Sequence, residues 1–110
     1  MGLVRQGEIW LCALDPTVGS EIRKTRPCLI VSPDLLNSRL QTVIVAPMTS
    51  KGRPAPFRVA TSFDDVQGLI VVDQLRALDR RRLRKRLGII ADADLAAVLA
   101  ILGEIFAKPL

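Results

Sequence analysis

The sequence contains no histidine and no tyrosine, and its only aromatic residues are one tryptophan and three phenylalanines. Any acid–base chemistry must therefore use carboxylates, hydroxyls, arginine or lysine. The two cysteines, Cys12 and Cys28, lie in separate apolar segments and have no CxxC spacing. Without histidine, this pattern argues against a zinc site and favours buried free thiols over a disulfide.

Long hydrophobic runs are also absent. The longest candidate, residues 95–103, stops at Glu104 and is far shorter than the roughly 20 apolar residues that a membrane-spanning helix needs. The first eight residues contain no apolar core of the kind found in signal peptides. We therefore expect a cytoplasmic protein that does not enter a membrane.

The chain has 110 residues, of which 49% are hydrophobic, and this composition predicts a single compact domain over residues 1–110. The net charge of +5 is typical of proteins that bind nucleic acid, although it would also attract an acidic protein. Seven of the 16 lysines and arginines lie within residues 76–86. This basic run is either a solvated turn or part of a binding surface.

Most of the chain has the pattern of short β-strands. Strands are predicted at 8–14, 27–32, 42–48, 57–61, 68–73 and 84–90, with a short extended piece at 75–78. A short helix is expected at 33–39 with Ser32 as its N-cap, and one helical turn at 79–83.

From Asp92, the expected N-cap, the period becomes helical. One apolar stripe is formed by Leu95, Val98, Leu99, Leu102, Ile105 and Phe106. Trp10 and Phe106 are expected in the core, whereas Phe57 either packs in the core or lines a binding groove. These elements predict a mainly β fold, a small barrel or curled sheet closed by a C-terminal helix.

The segment 19–27 lies between two apolar strands and concentrates polar chemistry. It carries one carboxylate, two hydroxyls and three cations: Glu21, Ser20, Thr25, Arg23, Lys24 and Arg26. A second apolar strand ends in the hydroxyls of Thr49 and Ser50. Cations and hydroxyls suit the binding of a phosphodiester, and a carboxylate can act as a base.

Several ordered blocks of this sequence resemble the MazF/PemK (Kid) toxin family. They are GEIWLCALDPTVGSE at 7–21, KTRP at 24–27, LIVSP at 29–33, PMTS at 47–50 and VDQLRALD at 72–79. The resemblance implies an SH3-like barrel, shared with the gyrase poison CcdB, and a homodimer. It also implies a sequence-specific, metal-independent endoribonuclease without a cofactor. Its implied partners are single-stranded RNA, chiefly mRNA, and an antitoxin whose C-terminal segment covers the RNA groove.

The resemblance also suggests roles for individual residues. Arg26 would stabilise the charge that develops on the phosphate, and Thr49 would donate a hydrogen bond to a phosphate oxygen, with Ser50 as a weaker contact. Glu21 is the candidate base, or else an ion-pair partner of Arg26 that rigidifies the loop. Asp73 is either a competing acid–base group or a group that holds the loops by hydrogen bonds.

Further residues are candidates for contacting RNA. Ser20, Lys24, Thr25, Lys51 and Arg53 are expected along the groove, and Gln74 and Arg76 either contact RNA or support the barrel.

Two features depart from the family's pattern. Some members have a histidine in the loop, where this chain has Ser20 or Thr25, and Kid-type members have an arginine where this chain has Val71. The sequence therefore favours a site built on Arg26 and Thr49. Two alternatives stay open, a toxin of the same fold that poisons a protein such as gyrase, and a module that binds RNA or antitoxin without cleavage.

Overall fold

A computed structural model describes residues 3–109 of the chain. Its strands are β1 (Glu8–Ala13), β2 (Thr25–Ile30), β3 (Thr42–Thr49), β4 (Arg58–Phe63), β5 (Val66–Val71), β6 (Arg76–Asp79) and β7 (Leu83–Ile89). The helices are α1 (Asp34–Arg39) and α2 (Asp92–Ile105), and two 3₁₀ turns cover Val72–Gln74 and Arg80–Arg82. No helix within residues 3–109 is both long and apolar enough to cross a membrane.

The seven strands form one antiparallel sheet in the order β4-β5-β3-β2-β1-β7, with β6 also paired to β3. β3 is the central strand because it pairs with three others. Its first half pairs with β6, its residues 45–47 pair with β2, and its end at Met48 and Thr49 pairs with β5. The sheet curls into a half-barrel, and α2 packs against β4.

Both faces of the sheet are covered by apolar side chains. One core cluster, which includes Ile9, Leu29 and Met48, also receives Val98 of α2. The other includes Cys12, Cys28, Ile30 and Val45 and is completed by Val4, Leu14, Leu78 and Leu83. Adjacent residues of β2 alternate between the two clusters, which explains why that strand is apolar at consecutive positions.

Both cysteines are free and buried, which confirms the sequence-based prediction. A hydrogen bond with Cys12 and burial raise the pKa of the Cys28 thiol. Both thiols are therefore core side chains, and the raised pKa keeps the Cys28 thiol neutral at physiological pH.

The packing of α2 differs from the prediction. Val98 is fully buried, and Leu95, Ile101 and Leu102 pack against the same core cluster. Phe106 is 74% exposed, so its assignment to the core was wrong. It is the C-cap residue, which follows the last helical position. The helix begins at Asp92 itself, and Ala91 is the N-cap in place of the predicted Asp92.

Other element boundaries also differ, and two of the differences concern residues singled out in the sequence. Ser32 does not cap α1, because Pro33 is the N-cap and no side chain caps the helix. The Ser32 hydroxyl instead donates to Asn37 Oδ1 at 2.5 Å and accepts from the Ile44 amide at 3.0 Å. β2 begins at Thr25, two residues before the predicted start, so Arg26 is a strand residue opposite Cys12 and not a loop residue.

Candidate active site

The loop between β1 and β2 carries many of the predicted site residues and is closed at its base by hydrogen bonds. The Leu14 amide donates to the Lys24 carbonyl at 2.9 Å, and Arg76 Nη1 donates to the Leu14 carbonyl at 3.1 Å. Lys24 has a φ of +72°, and its amide donates to Asp15 Oδ2 at 3.1 Å. This closure fixes the point at which β2 starts, and with it the position of Arg26.

Gln74 forms hydrogen bonds with the backbone of the same loop at residues 20 and 22. Its Oε1 accepts from the Ile22 amide at 2.7 Å, and its Nε2 donates to the Ser20 carbonyl at 3.4 Å. Of the two roles expected for Gln74, support of the fold is the one that these contacts favour.

Glu21 makes a local contact in this loop, because its Oε1 accepts from the Val18 amide at 2.6 Å. Its side chain is nevertheless exposed, so the other carboxylate oxygen can face a ligand.

Arg26, Thr49 and Ser50 line one cavity of about 280 Å³. Arg26 Nε donates to the Arg23 carbonyl at 3.1 Å, which restrains the side chain. Within residues 3–109, no carboxylate forms an ion pair with Arg26. The outer nitrogens of the guanidinium are therefore available for an anionic ligand, and the predicted ion pair with Glu21 is not formed.

Thr49 lies at the end of β3, where β5 closes against it. Its Oγ1 accepts from the Lys51 amide at 3.1 Å, so the hydroxyl proton is free to be donated to a ligand. The close approach depends on Gly68, because a Cβ there would lie 2.5 Å from the Thr49 carbonyl oxygen. A glycine at this position of β5 thus fixes the place of the Thr49 hydroxyl.

The two candidate carboxylates lie in a second cavity, of about 400 Å³. This cavity is lined by Ser20, Glu21, Ile22, Pro47, Asp73, Gln74, Leu75 and Arg76. The structure therefore brings Glu21 together with Asp73, and Arg26 together with Thr49. Pro47 of β3 lines this second cavity, whereas the next two residues of the strand, Met48 and Thr49, line the first.

Arg58 is a site residue that the sequence did not reveal. It forms a two-point ion pair with Asp73, with Nε–Oδ1 at 3.2 Å and Nη2–Oδ2 at 3.3 Å. Its Nη1 also donates to the Arg53 carbonyl at 3.4 Å. Arg58 thus connects the second cavity to the exposed loop between β3 and β4. The sequence did not predict this ion pair, because Arg58 and Asp73 are 15 residues apart and come together only when β4 pairs with β5.

The remaining candidates for RNA contact are on the surface. Ser20, Lys24, Thr25, Lys51 and Arg53 are exposed. Phe57 is 41% exposed and lies beside the Arg58 guanidinium, with 5.9 Å between the guanidinium carbon and the ring centre. Of the two placements considered for Phe57, packing in the core is excluded.

Most of the basic run at 76–86 serves the fold. Five of its seven cations donate to protein oxygens, namely Arg76, Arg80, Arg81, Arg82 and Arg86. Arg82, for example, donates to the Ala13 and Asp15 carbonyls at the start of the β1–β2 loop. Arg84 and Lys85 are exposed and have no side-chain partner in the described part of the chain. The run is thus neither a simple solvated turn nor a continuous binding surface.

Arg86 belongs to a network around the buried carboxylate of Glu8. Glu8 accepts from the Arg5 amide at 2.9 Å, from Trp10 Nε1 at 3.1 Å and from Arg86 Nε at 2.6 Å. Burial acts to raise the pKa of Glu8, but the hydrogen bonds from Arg5, Arg86 and Trp10 outweigh it, and the pKa lies below its ordinary value.

Hydrogen bonds also shift the pKa values of Asp79 and Arg81, which form an ion pair at the surface. Hydrogen bonds from the Arg81 side chain and amide lower the pKa of Asp79. The side-chain hydrogen bond to Asp79 raises the pKa of Arg81. Asp79 also caps the 3₁₀ turn that follows it, as its position at the start of the predicted helical turn indicated.

Comparison with known proteins gives matches along nearly the whole chain. Residues 5–106 match the family described as the PemK-like, MazF-like toxin of type II toxin–antitoxin systems. Endoribonuclease PemK of Escherichia coli is 40% identical over 110 residues, which cover 93% of this chain and 81% of PemK.

Solved structures give the same picture. MazF from Deinococcus radiodurans, form I, matches with a TM-score of 0.87 at 27% identity, covering 98% of this chain and 100% of that one. MazE–MazF from the same organism, form II, matches with a TM-score of 0.77 at 26% identity, covering 99% and 100%. These matches confirm the predicted fold class, a curled β-sheet with a C-terminal helix.

Proposed function

The chain belongs to the PemK-like, MazF-like toxin family of type II toxin–antitoxin systems, and we propose that it is the RNA-cleaving toxin of such a system. The proposal is supported by one observation above all. A guanidinium without a carboxylate partner among residues 3–109 and a hydroxyl with a free proton, from Arg26 and Thr49, line one cavity. That pair suits the binding of a phosphate. The relative that is 40% identical carries the name endoribonuclease.

We propose that cleavage proceeds by attack of the ribose 2′-OH on the adjacent phosphorus, without a metal ion. The new bond joins the 2′-oxygen to phosphorus, and the bond from phosphorus to the 5′-oxygen breaks. The products are a 2′,3′-cyclic phosphate and a 5′-OH end. Negative charge accumulates on the non-bridging oxygens, where the planar fork of Arg26 and the Thr49 hydroxyl donate hydrogen bonds.

A base must remove the proton of the 2′-OH, and an acid must protonate the departing 5′-oxygen. Glu21 and Asp73 are the proposed groups, because they are the two candidate carboxylates and line the cavity bounded by Pro47, two residues before Thr49 in β3. Gln74 holds the loop that carries Glu21, and Arg58 holds Asp73 by its two-point ion pair. RNA single strands would reach the two cavities across the exposed Lys24, Lys51 and Arg53.

Cleavage of a long RNA in the presence of EDTA tests this function. Sequencing of the new 5′-OH ends should show cuts at one short motif. A synthetic RNA with this motif and a single 2′-deoxy substitution at the cut position should bind but stay intact. Thr49→Val should slow cleavage at least tenfold, which is about 1.4 kcal/mol of transition-state stabilisation. Thr42→Val, at the exposed start of the same strand, is the matched control.

Intact RNA under all conditions would contradict the proposal. If gyrase-dependent DNA damage then appeared in cells expressing the protein, a toxin that acts on a protein target would replace it. Tight RNA binding with no cleavage would identify a module without catalysis.

We also propose that the toxin is a homodimer neutralised by a cognate antitoxin. The second half of α2 and its C-cap carry an exposed apolar surface that a second copy of the chain can cover. It consists of Leu99, Ile105 and Phe106. The relative from D. radiodurans is known as a MazE–MazF assembly. Light scattering should give twice the monomer mass, and addition of the antitoxin should stop RNA cleavage. A monomer that is fully active would exclude the dimer, and cleavage that continues with bound antitoxin would exclude neutralisation.

A further inference from the structure

The cavity that contains Arg26 and Thr49 extends beyond the groups that a phosphate needs. Its remaining wall is mostly apolar and includes Phe63, Val66, Leu69 and Leu87. With about 280 Å³, the cavity lies near the lower end of the range for small-molecule pockets. A phosphate gains nothing from an apolar wall, whereas the flat apolar face of a nucleobase does.

Phe63 is held in place to form this wall. Its ring packs against the core cluster that includes Val98 of α2, and the ring-edge carbons Cε1 and Cζ approach Gly88 of β7, where a Cβ would come within 3.1 Å of both. A glycine at position 88 therefore makes room for the ring. An aromatic ring that is held at its edge and lines a cavity can serve as a platform for base stacking.

The next residue, Asp64, places a carboxylate at the same cavity. Asp64 and Asp65 form the two-residue turn between β4 and β5, and both have positive φ, +51° and +61°. This is the backbone of a type I′ hairpin, in which asparagine and glycine are the usual residues. Asp64 lines the cavity and Asp65 does not. Within residues 3–109, the Asp64 carboxylate has neither an ion pair nor a side-chain hydrogen bond.

The exposed carboxylate of Asp64 lies beside a site for an anionic substrate and repels the phosphate, so a group that it attracts at this cavity must be a hydrogen-bond donor. A carboxylate accepts hydrogen bonds only, and the amino groups on base edges donate them. Guanine offers two adjacent donors on its Watson–Crick edge, N1–H and the N2 amino group, which match the two carboxylate oxygens. Uracil offers one N–H between two carbonyl oxygens, which the carboxylate repels.

We infer that this cavity is a base-selecting subsite that takes guanine, stacked on Phe63 and hydrogen-bonded to Asp64. The inference rests on the proposed function, because it assigns the base that lies next to the phosphate held by Arg26 and Thr49. Adenine and cytosine, with one amino group each, are weaker occupants, and uracil is rejected. A two-point contact of this kind should favour guanine over uracil by about tenfold to a hundredfold.

The chain provides a matched pair of variants to test the subsite. Asp64→Asn and Asp65→Asn each remove one negative charge from the same turn, and asparagine tolerates the positive φ of both positions. Each variant is given a long RNA of mixed sequence, and the bases around all new 5′-OH ends are counted. Asp64→Asn should lose the preference for guanine at one position of the motif, whereas Asp65→Asn should keep the wild-type motif. An unchanged motif in Asp64→Asn, or an equal change in both variants, would overturn the inference.

A binding measurement separates this inference from the proposed function. The four nucleoside 5′-monophosphates are titrated into the wild-type protein, and the NMR signals of the Leu87 and Val66 methyl groups report occupancy of the cavity. Guanosine monophosphate should bind at least tenfold more tightly than uridine monophosphate, and Asp64→Asn should abolish the difference. This result would support the subsite even if the wild-type protein left RNA intact, an outcome that would remove only the nuclease. Equal affinity for all four nucleotides would overturn the subsite even if RNA were cleaved.

Discussion

Arg58 and Asp73 form a two-point ion pair that joins β4 to the 3₁₀ turn after β5, with nitrogen–oxygen distances of 3.2 and 3.3 Å. Arg58 is also the cross-strand partner of Val71, the position at which Kid-type toxins have an arginine. Arg58 thus places a guanidinium beside Asp73 from the neighbouring strand. A planar fork fixes the orientation of a carboxylate more strictly than a single point charge does.

Loss of this ion pair should impair catalysis more than RNA binding. In Arg58→Ala, Asp73 loses its fixed orientation, and we expect kcat to fall about tenfold, or about 1.4 kcal/mol, with little change in KM. Arg58→Lys restores the charge without the fork and should recover only part of kcat. Arg39→Ala, which removes an exposed cation of α1, is the charge control. A rise in KM alone, fully reversed by lysine, would show that Arg58 only attracts RNA.

The close contact at Gly68 should make that position intolerant of any side chain. In Gly68→Ala the new Cβ would meet the Thr49 carbonyl at 2.5 Å, so β5 must move away from β3. We expect a loss of about 1–3 kcal/mol in the free energy of unfolding, together with loss of RNA cleavage. Gly103→Ala, which meets no atom within 4 Å on α2, should instead stabilise the fold by about 0.5–1 kcal/mol. Equal stability of the two variants in urea denaturation would contradict this account of Gly68.

Acidification should weaken the fold through Glu8. Its pKa in the folded state lies below the ordinary value of 4.5, so the unfolded chain binds more protons at mildly acidic pH. The contribution of Glu8 is complete above about pH 4.5 and is lost as the pH falls through the lower, folded-state pKa.

Glu8→Gln should therefore cost about 1–3 kcal/mol at pH 7 and progressively less in acid. Urea denaturation between pH 7 and pH 3 measures this difference. Glu104→Gln, which removes an exposed carboxylate of α2, is the matched control. If the free energies of unfolding of the wild type and Glu8→Gln differed by the same amount at every pH, the hydrogen-bond network of Glu8 would be excluded as the cause of the acid sensitivity.

The strands and both helices were predictable because their signals are local. The β-branched run of β3 and the 3.6-residue period of α2 occur within single segments of the sequence. The exposure of Phe106 was not predictable, since its apolar stripe is continuous in sequence, although Leu99, Ile105 and Phe106 of that stripe are exposed. Periodicity shows which face of a helix is apolar, but not how much of that face is covered.

The candidate site was predictable in composition but not in arrangement. Ordered sequence blocks pointed to Arg26, Thr49, Glu21 and Asp73, and the structure places them in two cavities. Neither Arg58 nor Asp64 was predicted as a site residue, because an arginine in a strand and an aspartate in a turn are common in protein sequences. Their significance comes from strand pairing, which places Arg58 on Asp73 and Asp64 at the cavity wall.

Single-turnover cleavage by Arg26→Ala tests the central claim most directly. The variant should fold like the wild type, because Arg26 makes one side-chain hydrogen bond and no ion pair within the described residues. Its rate on a motif-containing RNA, with EDTA present, should fall by a factor of at least about 100, or about 2.7 kcal/mol. Arg26→Lys should recover little of this rate, since a single ammonium cannot make the two-point contact. Cleavage at the wild-type rate by a folded Arg26→Ala protein would contradict the account.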